Sequence, residues 1–206
     1  PMINNPHWTQ FYTLPDSALW QGREDALENE QIYQQVACVS LMNLPAANID
    51  KSFAILGFCC DEGVKRNKGR IGAAEGPKAI RDKLGRLSTH FTNPINLFDV
   101  GNIVCHENQL EAAQQALGQA IALLLKQGFH PIVLGGGHET AWGHYQGFEN
   151  TTSLGIINFD AHFDLRPLNA ENQGHSGTPF LQIACDRQSK NLPFDYLCIG
   201  IQKNAN

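Results

Sequence analysis

At 206 residues, 42% of them apolar and 17% charged, the chain is long enough for one well-cored domain that buries roughly 70% of its unfolded surface. The composition excludes a disordered chain. The net charge of −5 and the lack of any basic run argue against nucleic acid as a partner.

The amino end, PMINNPHWTQFYTLPDS, shows no basic segment followed by an apolar stretch. No leader is therefore expected, and no later stretch is apolar for long enough to span a membrane. Residues 1–50 read as an irregular arm with one helix around Glu24 to Ser40. Five strand-like runs follow: Phe53 to Phe58, Ile95 to Val100, a run from Pro131, Leu154 to Phe159, and Asp195 to Gly200. The segment EGPKAIRDKLG predicts a helix that tolerates Pro77 in its first turn. Leu110, Ala113, Leu117, Ile121, Leu124 and Leu125 recur at helical spacing, and Gly128 stands where that helix should stop. Strand and helix in alternation imply a parallel sheet with helices on both faces. With no repeat, low-complexity tract or composition break, 1–206 reads as a single α/β domain. Six cysteines without CxxC spacing read as reduced, mostly core thiols of a cytoplasmic protein.

Ligands of open parallel sheets collect at the carboxyl ends of strands, and three polar clusters fall there. GIINFDAHFD places Asp160, His162 and Asp164 at i, i+2 and i+4. If the backbone stays extended, all three project from one face. Two carboxylates and an imidazole suit manganese or another octahedral divalent ion. The plainer alternative is that Asp160 caps a helix and His162 makes an ordinary hydrogen bond. VLGGGHETAWGH brings His138 to the mouth of the sheet after a glycine turn. Neither phosphate-loop spacing is met, so a structural turn and a metal-ligating His138 both stand. In the third cluster, Asn67, Lys68 and Arg70 lie in a glycine-rich loop. It reads either as a solvated loop or as one offering cationic and amide donors to a substrate carboxylate.

Together the motifs GxxxNxGRxGAxxGPxxIR, GGGHE and NFDAHFDLRP resemble the arginase/agmatinase ureohydrolase family. WQGREDA (Trp20 to Ala26), GGGHE and HSGTPF (His175 to Phe180) resemble its formimidoylglutamase branch. The resemblance covers Trp20 to Ile201. It implies a three-layer α/β/α fold with a mainly parallel central sheet and a site for two manganese ions. His138, Asp160 and Asp164 would ligate one ion, and Asp160 would also reach the second, joined there by His162. The implied nucleophile is a metal-bridging hydroxide that attacks N-formimidoyl-L-glutamate, giving L-glutamate and formamide in histidine degradation. The metal charge would offset the buried carboxylates. Such a small-molecule amino-acid substrate carries two carboxylates, and the resemblance places Arg166 at its amino-acid end, suited to bidentate binding. Ser176 and Thr178 could add hydroxyl donors. His175 precedes the serine and is not assigned as a general acid; no catalytic side chain is assigned.

The resemblance also implies a Ser-x-Asp-x-Asp strand, and no Asp-x-Asp occurs after Asp164. These 206 residues correspond to the amino-terminal two-thirds of such a domain. One ion would keep three protein ligands and the other two, so weak metal binding and little hydrolysis are expected. In the implied sheet, late strands lie between the third and fourth of the main strands here. A gap is therefore expected, and with it a half-sheet that does not fold alone unless a longer chain or a second copy completes it; a homo-oligomer stays open. The competing readings are another ureohydrolase (agmatinase or guanidinobutyrase) and a catalytically dead metal-binding or scaffold protein.

Overall fold

The computed structural model describes residues 6–204; the first five residues of the amino-terminal stretch and the last two of the chain lie outside this range. The main sheet is built on β3 (Ser52–Cys59) and β4 (Asn96–Val104), paired in parallel with Phe53 opposite Leu97 and a register shift between Ile55 and Gly57. On the other side of β3 runs β5 (His130–Leu134), also parallel. The far edge of β4 carries two short strands. β2 (Val36–Cys38) lies parallel to its first half and β1 (Tyr12–Thr13) antiparallel to its second. β3 has a partner on each edge and is almost wholly buried, which is why it reads as an unbroken apolar run.

A second sheet holds only β6 (Gly155–Phe159) and β7 (Asp195–Ile199), in parallel. No ladder joins β5 to β6 among the described residues, so the sheet is interrupted where the sequence placed the gap. On β6 and β7, Ile157, Phe159, Leu197 and Ile199 form an exposed apolar row, with Phe159 79% exposed. The opposite face packs Ile156 and Tyr196 against Phe180 and Ile183 of α5 (Pro179–Ser189) and Tyr145 of α4 (Thr140–Gln146).

Helix α3 (Leu110–Lys126) covers the main sheet. Leu110, Ala113, Leu117, Ile121 and Leu124 are fully buried with Leu56, Phe58, Val100 and Ile103, each large aliphatic side chain worth about 1.5–3 kcal/mol of burial. Gly128, at φ +87°, ends the helix as expected. Helix α2 (Gly76–Leu84), with Pro77 in its first turn, lies on the other face and supplies Leu84 to a smaller core of Trp20, Ile55, Leu97 and Leu134. It also sends in Arg81, whose guanidinium donates to both oxygens of Asp99 on β4 at 2.8 Å, to Asn102 Oδ1 at 2.7 Å and to the Gly101 carbonyl at 2.9 Å. The Trp20 indole N–H and the Gly101 amide complete the Asp99 carboxylate. Neither member of this ion pair meets solvent.

The helix expected over Glu24 to Ser40 is absent. Ile32–Gln35 makes one 3-10 turn and the chain then enters β2. The amides of Ile32 and Tyr33 donate to Leu87 and Gly85, across to the end of α2, so they are not free to propagate a helix. The cysteines are all free thiols, as expected, but Cys60 is the one that is buried; Cys185 is exposed and the other four are half-buried.

Candidate metal centre

The loop after β5 is shaped by glycine. Gly136 sits at φ +53°, and a Cβ there would meet the Phe58 and Cys60 carbonyls at 2.7 Å. The Gly137 amide donates to Cys60 O at 2.9 Å, hooking the loop over the end of β3. His138 emerges from this turn with its ring edge-on to Phe180.

Facing it is the loop that leaves β6. Asp160 Oδ1 accepts the His162 amide at 2.9 Å, and Asp164 takes φ +49°. The backbone is therefore turned, not extended, between the two carboxylates. The turn is held from below: Tyr196 Oη donates to Phe163 O at 2.8 Å, and the Cys198 thiol lies 3.3 Å from His162 O. The Phe180 amide, in the first turn of α5, donates to Asp164 O at 3.2 Å.

The outcome is a convergence of three donors. His138 Nδ1 lies 2.6 Å from Asp164 Oδ2 and 3.1 Å from Asp160 Oδ2, and one ligand atom from each residue falls within 4.8 Å of the others. An imidazole nitrogen and two hard carboxylate oxygens form a donor set that fits a divalent cation. His162 is not in this group: its ring is 54% exposed and its Nδ1 is 3.4 Å from Asp160 Oδ1. The one-face arrangement of the i, i+2, i+4 series depends on an extended backbone; the turn at Asp160 removes that condition and leaves the His162 ring half-exposed.

Beside the donors lies a cavity of about 560 Å³ lined by Asn67, His162, Asp164, Arg166 and Gly177, among others. Asn67 follows α1 (Glu62–Arg66), a short helix the sequence did not announce. Its Nδ2 donates to Ser176 Oγ at 3.0 Å, and its Oδ1 accepts from Arg166 Nη1 at 3.2 Å. Of these three expected substrate contacts, Asn67 and Arg166 line the cavity and Ser176 braces Asn67. Arg70 is exposed and does not line the cavity. Thr178 is fully buried, its hydroxyl engaged by the His175 amide at 2.9 Å and Gln182 Oε1 at 2.8 Å, so it supports the loop and presents no donor to the cavity. His175 is buried too, its Nδ1 accepting the Gly177 amide.

One residue went unnoticed in the sequence. Glu139 is 1% exposed, its Oε1 accepts the Gly63 amide at 3.0 Å, and its Oε2 has no hydrogen-bond partner. Burial pushes its carboxyl up, against the opposing pull of its own amide, those of Gly63 and Val64, and the Cys60 thiol. Its place in GGGHE was visible, its direction was not. Burial works against charge on His138 as well, but there the hydrogen bond to Asp164 and the charges of Asp164, Asp160 and Glu139 outweigh it and raise the imidazole above its ordinary value.

With the α/β sheet and this donor cluster defined, the comparison with known proteins is direct. The chain belongs to the arginase family, whose sequence profile matches residues 51–206. It is 46% identical over 196 residues to a formimidoylglutamase of Chromobacterium violaceum and 43% identical over 196 residues to one of Legionella pneumophila, covering 94% and 95% of this chain. It spans about 60% of the length of these relatives (61% and 60%). Among solved structures, Trypanosoma cruzi formiminoglutamase with manganese superposes with a TM-score of 0.66 at 31% identity, over 80% of this chain and 58% of that one. The Bacillus subtilis formimidoylglutamase, at 22% identity and a TM-score of 0.68 over 89% of this chain and 58% of that one, shares the fold.

The raised imidazole predicts how a cation binds. Below its folded-state pKa, His138 carries a proton that an incoming ion must displace. Divalent-cation affinity should therefore climb with pH by up to about tenfold per unit and flatten once that pKa is passed. Calorimetric titration in two buffers of different ionisation enthalpy should show close to one proton released per ion at the acid end. Release that stays at zero over the whole range would remove His138 from the ligand set.

Proposed function

We propose that this chain is the amino-terminal, metal-holding part of a formimidoylglutamase, an enzyme that hydrolyses N-formimidoyl-L-glutamate to L-glutamate and formamide with manganese, a step of histidine degradation. The observation that carries the reading is the convergence of His138, Asp160 and Asp164 beside a wall that holds Arg166. His138, Asp160 and Asp164 would hold one ion. Asp160 also faces His162, and that pair would contribute to a second. Bound manganese supplies Lewis acidity and an activated water suited to opening an amidine carbon–nitrogen bond. The chain's own groups supply placement: Arg166 meets a carboxylate of the substrate, and Asn67 and Ser176 hold the guanidinium in line. A dianionic substrate fits a wall with a cation in it better than the cationic substrate of an agmatinase does.

Manganese titration followed by calorimetry and a formamide-release assay tests this reading. Saturable manganese binding with slow formamide release from N-formimidoyl-L-glutamate, in keeping with the incomplete ligand set, and none of the corresponding product from agmatine, is the expected result. The scaffold reading would take its place if no divalent ion bound. Arg166→Ala should weaken binding of the dianion about 10- to 100-fold, the scale of one charge-assisted hydrogen-bonded contact, while leaving manganese affinity unchanged. An unaltered dissociation constant for the dianion would rule out the carboxylate clamp.

A further inference from the structure

The metal-holding loop and the Asn67–Ser176 pair come from different parts of the chain, and the backbone of a single residue, Gly63, joins them. The Gly63 N–H points to Glu139 Oε1 at 3.0 Å, and the Gly63 carbonyl accepts the amides of both Asn67 and Ser176 at 3.1 Å. Glu139 is the residue after His138. Its side chain fills a slot closed by two glycines: a Cβ on Gly63 would lie 2.5 Å from Glu139 Cδ, and one on Gly137 would collide with Oε2. The Gln114 side-chain Nε2 donates to the Glu139 carbonyl at 2.9 Å and fixes the base of the side chain. A buried carboxylate with an orphan oxygen is costly, yet this one neither lines the cavity nor joins the donor group.

We propose that Glu139 is a positioning residue that, through the Gly63 backbone, sets the distance between the cation held at His138 and the cavity wall of Asn67 and Arg166 that Ser176 braces. The inference rests on the metal-and-wall reading of the site given above. It concerns the reach of one acceptor oxygen, not the carboxylate charge, and this separates two conservative variants. Glu139→Gln keeps an oxygen at the Gly63 amide. Glu139→Asp keeps the charge but withdraws the oxygen by one methylene.

The test compares both variants with the unaltered chain in two measurements: amide hydrogen exchange at Gly63, Asn67 and Ser176, with Leu56 as internal reference, and manganese affinity by calorimetry. Glu139→Asp should speed exchange at the three amides about tenfold or more relative to Leu56 and weaken manganese binding about tenfold, the scale of outer-sphere partners. Glu139→Gln should hold both within about threefold of the unaltered chain, even if its buried amide lowers overall stability. The reverse ranking, or two variants that both match the unaltered chain, would overturn the proposal, since charge or mere filling would then be what matters. Should Glu139→Asp fail to fold, Glu139→Gln decides alone: protection retained at the three amides supports the proposal and protection lost refutes it. If the unaltered chain binds no manganese, the functional reading fails while the exchange measurement still judges Glu139.

Discussion

Asp164→Asn lowers manganese affinity by on the order of 100-fold and removes most of the stabilisation by the metal. The substitution is nearly isosteric. Asn tolerates the left-handed backbone that Asp164 adopts at φ +49°, so the loop keeps its course. What changes is the donor: a hard anionic oxygen 2.6 Å from His138 Nδ1 becomes a neutral amide, and the site loses one of two carboxylates that balance a dication. Ligand removal should exceed the 10- to 100-fold loss usual for outer-sphere partners. At manganese one hundred times its dissociation constant, the unaltered chain gains about 2.7 kcal/mol, and the variant at that concentration should gain about one or less. Melting curves with and without manganese, beside calorimetry, measure both quantities. Equal metal-dependent shifts in the two proteins would take Asp164 out of the coordination set.

Asp99→Ala is expected to cost about 3–5 kcal/mol of stability, a large share of the roughly 5–15 kcal/mol typical of a domain. Removing the carboxylate strands the Arg81 guanidinium, which is buried to 1% exposure, and takes the acceptor from the Trp20 indole and the Gly101 amide. The loss comes from the uncompensated charge more than from the pair's own net worth. Replacing both partners together, Arg81→Met with Asp99→Leu, should therefore recover a substantial part of it. Urea denaturation of the two single variants and the double variant measures the coupling; strictly additive losses would show that the pair contributes no interaction of its own.

The parts of the fold legible in the sequence are those whose signal is periodic or continuous. Strand β3 announces itself because both its edges and both faces are covered, and α3 because one stripe of Leu, Ile and Ala meets the sheet. The break between β5 and β6 was also anticipated, from the resemblance and not from periodicity. The arm misled because Ile32 and Tyr33 spend their amides on the end of α2, a partner more than fifty residues away. Helix α1 is five residues long, too short for a period, and α5 opens on a proline without a clear apolar stripe. At the site, residue types at strand ends pointed to His138, Asp160 and Asp164. The orientation of His162 depends on a side-chain hydrogen bond within the turn, and the burial of Thr178 and Glu139 depends on loops packing from elsewhere.

The interruption of the sheet gives the donor cluster a mechanical meaning. His138 is anchored to the large sheet through Cys60 and the end of β3, whereas Asp160 and Asp164 ride on the small sheet of β6 and β7. Among the described residues no ladder joins the two sheets; side-chain packing, chiefly α4 on α5, and hydrogen bonds outside the strands, such as Tyr145 Oη to Asp186, run between them. A cation gripped by all three residues is thus a rivet across a seam, and the free energy of its binding includes the work of keeping the two plates aligned.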